Sequence, residues 1–284
     1  MLDNVKVELP AKEIYEDLAR PSVQAIGSII SLPVRAIRLC LAPFEQWIIN
    51  GENNLDKVAE SVSKNLKNVD ESKITTPAPY VAIPALQAIS YCMDNDELRN
   101  IYAKLLSTAM NIDTYNKAHP SYTEIIKQLS PSEAKILKHI EKESVILLCD
   151  LRIQKKSPYI RATKVKKEFY YTRIPQEGMP LYENLALLKI DGLSDALITT
   201  SLENLNRLGI VSINDKYSLY KDYSLFTNSQ TFIDCMHKAN DMIKNSSNSK
   251  EPEEKEFFCN AEFAAILKSA SITNFGKSFI AACI

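Results

Sequence analysis

Asp94, Asp96 and Glu97 place three carboxylates within four residues, a cluster that could share protons or hold a hard cation. The same residues open an apolar-periodic stretch. Asp94 followed three residues later by Glu97 resembles a capping box, and acids favour the positive end of a helix dipole, so capping explains them without chemistry. His119 is a candidate general base. No nucleophile is positioned near it in sequence, which leaves a turn histidine bonded to backbone. Cys235 and His237 with Cys259 lack the paired short spacings of a structural zinc site. Gly-x-Ser-x-Gly, Walker, dinucleotide and His-Glu-x-x-His motifs are all missing. The expectation is a non-enzymatic protein with no catalytic residue, no metal and no cofactor.

Two stretches could instead make a binding surface. Arg152 to Arg173 carries Lys155, Lys156, Arg161, Lys164, Lys166 and Lys167 against one acid, Glu168, with Tyr159, Phe169, Tyr170 and Tyr171 interleaved. Lysines release counterions from phosphates and aromatic rings stack on bases, so Lys155, Lys156, Arg161, Lys164, Lys166, Lys167, Tyr170 and Tyr171 are nucleic-acid candidates. The alternative is a solvated loop anchored by its aromatics. Val23 to Leu41 has apolar residues at Val23, Ile26, Ile30, Val34, Ile37 and Leu41, a helical spacing of three and four. Ile26, Ile30, Val34 and Ile37, with Arg35, Arg38 and Trp47, could meet a bilayer or a partner. The alternative is a core helix whose arginines snorkel to water. Pro33 should kink or split the helix, and the uncharged run from Pro21 to Val34 is too short to cross a bilayer.

The elements that position these residues are mostly helical. Leu98, Ile101, Tyr102, Leu105, Leu106 and Ala109 form the clearest helical stripe. Residues 51 to 79 are polar, fit a linker or exposed helix, and end in the extended connector Thr75-Thr76-Pro77-Ala78-Pro79. A helix over Tyr122 to Leu129 leads to Ser130-Pro131-Ser132-Glu133, where a cap and first turn belong. Val145 to Leu148 could be strand or helix. Ser194 to Leu208 reads as a helix stopped by Gly209, followed by a strand at Ile210 to Ile213. Lys244 to Glu256 is polar enough for a flexible loop, and apolar periodicity then runs to a docked terminal helix.

Composition bounds the rest. With 284 residues, 45% of them hydrophobic, the chain can bury a core unaided, and only 6 glycines tilt it toward helices. A net charge of −1 gives no global pull toward nucleic acid or anionic membranes. The 6 scattered cysteines suit reduced core thiols, and the N-terminus does not read as a secretion signal, so the expected location is the cytoplasm, with membrane association as an alternative.

Several stretches carry a resemblance. Pro21 with Gly27 and Pro43, Ile83-Pro84-Ala85-Leu86, Lys104-Leu105-Leu106, His119-Pro120-Ser121-Tyr122, Leu129-Ser130-Pro131 and Asn204-Leu205-Asn206-Arg207-Leu208-Gly209 resemble the Abi-alpha family. His119 to Tyr122 and Thr273 to Cys283 are the more specific parts, and the likeness runs from about Tyr15 to Ile284. That family is named for bacterial abortive infection and brings no catalytic residues to carry over. It implies a bacterial anti-phage protein that binds a partner, expected to be a protein. Nucleic acid through 152–173 and a membrane through 23–47 are alternatives, and homo-oligomerisation stays open. The second half also resembles a winged helix. The expected fold is therefore mainly α, with an N-terminal helical bundle at 1–129. A winged-helix-like α+β unit at 130–284 follows, with a helix near Pro180 to Lys189 and long insertions at 152–178 and 214–269.

Overall fold

The fold turns on a long helix whose apolar residues recur every three and four positions, so that one broad face must be buried. The computed structural model describes residues 37, 40–42, 52–143, 145–156, 171–172, 176–216 and 222–284. Among these, helices α1 (Glu52–Leu66), α2 (Pro79–Ile89), α3 (Asp96–Met110), α4 (Ser121–Ile126) and α5 (Pro131–Ile140) come first. Helix α3 is the hub, with Ile101, Tyr102, Leu105, Leu106 and Met110 all buried. Its cap is Asn95, whose side chain accepts from the Leu98 N–H, and not Asp94 as the spacing suggests. Asp96 is left to pair with Arg99, and Glu97 with Lys138. Helix α1 is no exposed linker, because Val58, Ala59 and Val62 are fully buried.

Strands β1 (Ile146–Lys155), β2 (Tyr171–Thr172) and β3 (Gly178–Ala186) follow, then α6 (Asp195–Arg207) and β4 (Val211–Asn214). Helices α7 (Gln230–Ser246) and α8 (Pro252–Cys259), strand β5 (Ala261–Ile272) and helix α9 (Asn274–Cys283) complete the order. Central strands β1 and β5 are antiparallel in unbroken register from Ile146↔Ala270 to Lys155↔Ala261. Strand β3 joins the free edge of β1, β4 pairs antiparallel with β5 through Val211↔Ile272, and short β2 lies parallel to β5. Alternate residues of β1 enter two different apolar clusters. Ile146 and Leu148 join the core of α1 to α6 and α9, while Leu147, Cys149, Leu151 and Ile153 meet α7, α8 and Phe226. A strand covered on both faces reads as a continuous apolar run, which is why Val145 to Leu148 looked ambiguous.

The winged-helix expectation is wrong. The stretch from Pro180 is strand β3 rather than a helix, and the 12-residue central strand β5 begins inside the stretch assigned to an insertion at 214–269. The ten-residue β1 also consumes the first residues assigned to an insertion at 152. Among the described residues no separate N-terminal bundle is seen either. Helix α3 packs on α5 and α9 as well as on α1 and α2, so one core runs from Ile37 to Cys283. The polar stretch 244–256 is largely helical, closing α7 and opening α8.

Candidate functional site

Residues far apart in sequence meet around one tyrosine ring. Tyr122, on α4, is buried, and its ring lies 5.8 Å from His119, 5.8 Å from Phe275 and 5.3 Å from Phe279 between centroids. Edge-on geometry with both phenylalanines is the arrangement that ring quadrupoles favour. Burial pushes the Tyr122 phenol above its ordinary pKa, so it stays a neutral part of the cluster. Helix α9 is seated on the same spot by three polar bonds. Thr108 Oγ1 donates to the Ala282 carbonyl at 2.8 Å, Thr273 Oγ1 to the Gly209 carbonyl at 2.6 Å, and the Gly276 N–H to Thr273 Oγ1 at 2.8 Å. Gly276 permits the closest approach, since a Cβ there would stand 2.1 Å from the Ile210 carbonyl oxygen.

His119 and Ser121 form an arrangement with a nucleophile's geometry. Ser121 Oγ lies 2.7 Å from His119 Nδ1, a contact that sequence reading missed although the residues are two apart. The backbone N–H of Ser121 donates to the same Nδ1 at 3.2 Å, so this nitrogen accepts and its lone pair is shared. A base already holding a backbone proton donor is poorly placed to take a second proton from the hydroxyl. Among the described residues no carboxylate bonds the other ring nitrogen, as a triad requires. The pair serves to start α4, the turn role expected for His119.

The Asn204 to Gly209 stretch is a clamp between α6 and the α4–α5 corner. Asn204 Nδ2 donates to Glu133 Oε1 at 2.8 Å and to the Gln128 carbonyl at 3.1 Å. Glu133, itself buried, accepts from the Ser130 N–H in a complete capping box. Arg207 donates to Asn204 Oδ1 and to Gln128 Oε1, and Asn206 Oδ1 accepts from the Ile213 N–H. Gly209 has φ +74° and ends α6 in the left-handed conformation that glycine adopts freely.

Two further polar groupings stand apart. Lys268 lies 3.2 Å from Asp150 Oδ2 and donates to Asn184 Oδ1 at 2.8 Å, while the Asn184 N–H donates to Asp150 Oδ1 at 2.8 Å. Asn184 has φ 54° at the register shift of β1 on β3, so this network fastens a β-bulge. A cleft of about 220 Å³ gathers Lys64, Lys104 and Lys138. Lys64 and Lys138 sit in last helical turns, where the dipole favours cations, and Lys138 pairs with Glu97 at 2.5 Å.

The remaining sequence candidates are dispersed. Ile37 is fully buried in the main core, and Ile26, Ile30, Val34, Arg35, Arg38 and Trp47 lie outside the described residues. Lys155 pairs with Glu177 at 2.6 Å, which raises its pKa, and the Lys156 N–H donates to the Asn260 carbonyl. Tyr171 belongs to β2, whereas Arg161, Lys164, Lys166, Lys167 and Tyr170 lie outside the described residues. Among the described residues no three His, Cys, Asp or Glu side chains gather to hold a metal, and no helix is long and apolar enough to cross a membrane.

The model of the family described as abortive infection alpha matches residues 50–283. The chain belongs to the abortive infection alpha family. The match takes in His119 to Tyr122, the Asn204 to Gly209 clamp and the α9 seat, while Pro21, Gly27 and Pro43 lie before it. No curated protein and no solved structure matches the chain. Membership in this family suggests a role in abortive infection, a form of phage defence.

Proposed function

We propose that this abortive infection alpha protein acts in phage defence by binding a protein partner through the surface around Tyr122. The observation that carries the reading is convergence. The two most family-like stretches, His119 to Tyr122 and Thr273 to Cys283, meet there through the Tyr122–Phe275 and Tyr122–Phe279 ring contacts. Their outward parts are His119, Pro120 and the 41% exposed Phe275, over a rigid buried base. A single exposed phenylalanine is ordinary on a protein surface. Here it sits on packed helices, a pre-organised anchor of the kind that interface hot spots use.

The test is phage challenge of cells expressing the wild-type chain, Phe275→Asp and His119→Ala. Protection by the wild type that is lost in Phe275→Asp, with an unchanged circular dichroism spectrum, is the expected result. Equal protection by both variants refutes this surface, and no protection by the wild type across a broad phage panel refutes the defence role.

A further inference from the structure

The two stretches that meet at Tyr122 bring no carboxylate side chain to the surface they share. Residues 114–123 include no Asp or Glu, and neither do residues 263–284, whereas the whole chain balances 34 Lys and Arg against 35 Asp and Glu. Polar bonds and ring contacts tie the two stretches together. Thr114 Oγ1 donates to the Thr108 carbonyl at 3.0 Å, and Thr108 Oγ1 donates to the Ala282 carbonyl near the end of α9. Tyr122, at the other end of the loop, meets Phe275 in the first turn of α9. Lys117 lies within that loop and Lys277 within α9, and both are exposed.

The acids that flank the loop in sequence are already taken. Asp113 pairs with Lys73 at 2.8 Å and Glu124 with Lys127 at 2.7 Å. Among the described residues Lys117 and Lys277 form no ion pair. Cations left over on an acid-free surface suit a partner that supplies carboxylates, because complementary charge speeds encounter and penalises wrong partners. The same two stretches expose two rings, Phe275 at 41% and Tyr115 at 60%. Rings that can bury apolar area, with charge at their margin, match a peptide whose apolar side chain is flanked by acids. Nucleic acid fits less well, since its affinity follows the number of phosphates neutralised and two lysines release few counterions. We propose, resting on the reading of the Tyr122 surface as the protein-binding face, that its occupant is an acidic peptide segment of the partner. The segment sets an apolar residue on Phe275 and carboxylates against Lys117 and Lys277.

Selection of a random peptide library on the full-length wild-type chain tests this. The enriched peptides should carry Asp or Glu beside Trp, Phe or Leu, and should bind more weakly as salt rises. Their Kd should rise about tenfold on the double variant Lys117→Glu, Lys277→Glu, and stay at the wild-type value on Lys117→Arg, Lys277→Arg. Circular dichroism should show every variant folded, both lysines being exposed. Enriched peptides that lose binding on Phe275→Ala, yet show no preference for acids and no response to the Glu double variant, overturn the acidic partner and leave the Tyr122 surface standing. Peptides that bind Phe275→Ala and the Glu double variant as tightly as wild type, or a selection that enriches none, overturn the surface and the acidic partner together. Single-stranded oligothymidylate that binds the wild type more tightly than the enriched peptides, and is lost on the Glu double variant, overturns the peptide in favour of nucleic acid.

Discussion

Replacing Gly276 by alanine should destabilise the protein more than any other single methyl addition at its glycines with described surroundings, except at the similarly tight Gly178. The new Cβ would meet the Ile210 carbonyl oxygen at 2.1 Å and carbon at 2.9 Å, and Ile272 Cγ2 at 2.9 Å. The first two are backbone atoms held by the Thr273 N–H bond to the Ile210 carbonyl at 3.0 Å, so they cannot swing aside. Relief needs α9 to withdraw by about 1 Å, the gap between 2.1 Å and an ordinary contact. That withdrawal strains the Thr108–Ala282 bond and loosens buried Phe279, Ile280 and Cys283 together. Overpacking alone costs about 1–3 kcal/mol, and the strained contacts put Gly276→Ala at the upper end, about 3 kcal/mol. For a chain of this size that lowers Tm by roughly 6–12 °C. Gly192 is the control, with φ +79° and nothing within 4 Å, so Gly192→Ala pays only the left-handed backbone penalty of about 1 kcal/mol. Thermal and urea unfolding followed by circular dichroism measure both. A Gly276→Ala protein within about 1 kcal/mol of wild type, or less affected than Gly192→Ala, refutes the idea that the Ile210 carbonyl wedges against α9.

Asn204→Ala should cost about 2 kcal/mol, because it removes the amide donor from the buried Glu133 carboxylate and the acceptor from Arg207; an unchanged urea midpoint would contradict the clamp. Burial raises the thiols of Cys149 and Cys283 well above their usual range, so maleimide labelling of the native protein should reach exposed Cys259 first and these two only on unfolding. Burial also raises Cys92 from 9.0 to about 11. Its thiol ionises more readily unfolded than folded, so its share of stability is intact below pH 9 and declines as pH rises from 9 toward 11. Cys92→Ala should flatten that part of the stability profile, read from urea midpoints between pH 8 and about 11; an unchanged slope counts against it.

Local chemistry was legible in the linear order. The period of Leu98 to Ala109, the Ser130-Pro131 cap and the Gly209 stop depend on neighbours within four residues, and each is where the spacing put it. The same short range explains the one-residue error at Asn95, since adjacent Asp94 and Asn95 offer equivalent side-chain acceptors. The family resemblance was readable for the same reason, as an ordered set of residues. What the sequence could not decide was which strands pair and which segments touch. Strand β3 reads as a possible helix because half of its residues face solvent, and only pairing with β1 makes it extended. Strand β5 finds β1 across more than a hundred residues, a contact set by two apolar faces competing for cover rather than by any local signal. The meeting of Tyr122 with Phe275 and Phe279 is of the same kind. Composition and periodicity determined that helices with an apolar face would form, and tertiary packing alone decided that two distant motifs would share one surface, because burial rewards proximity in space and takes no account of distance along the chain.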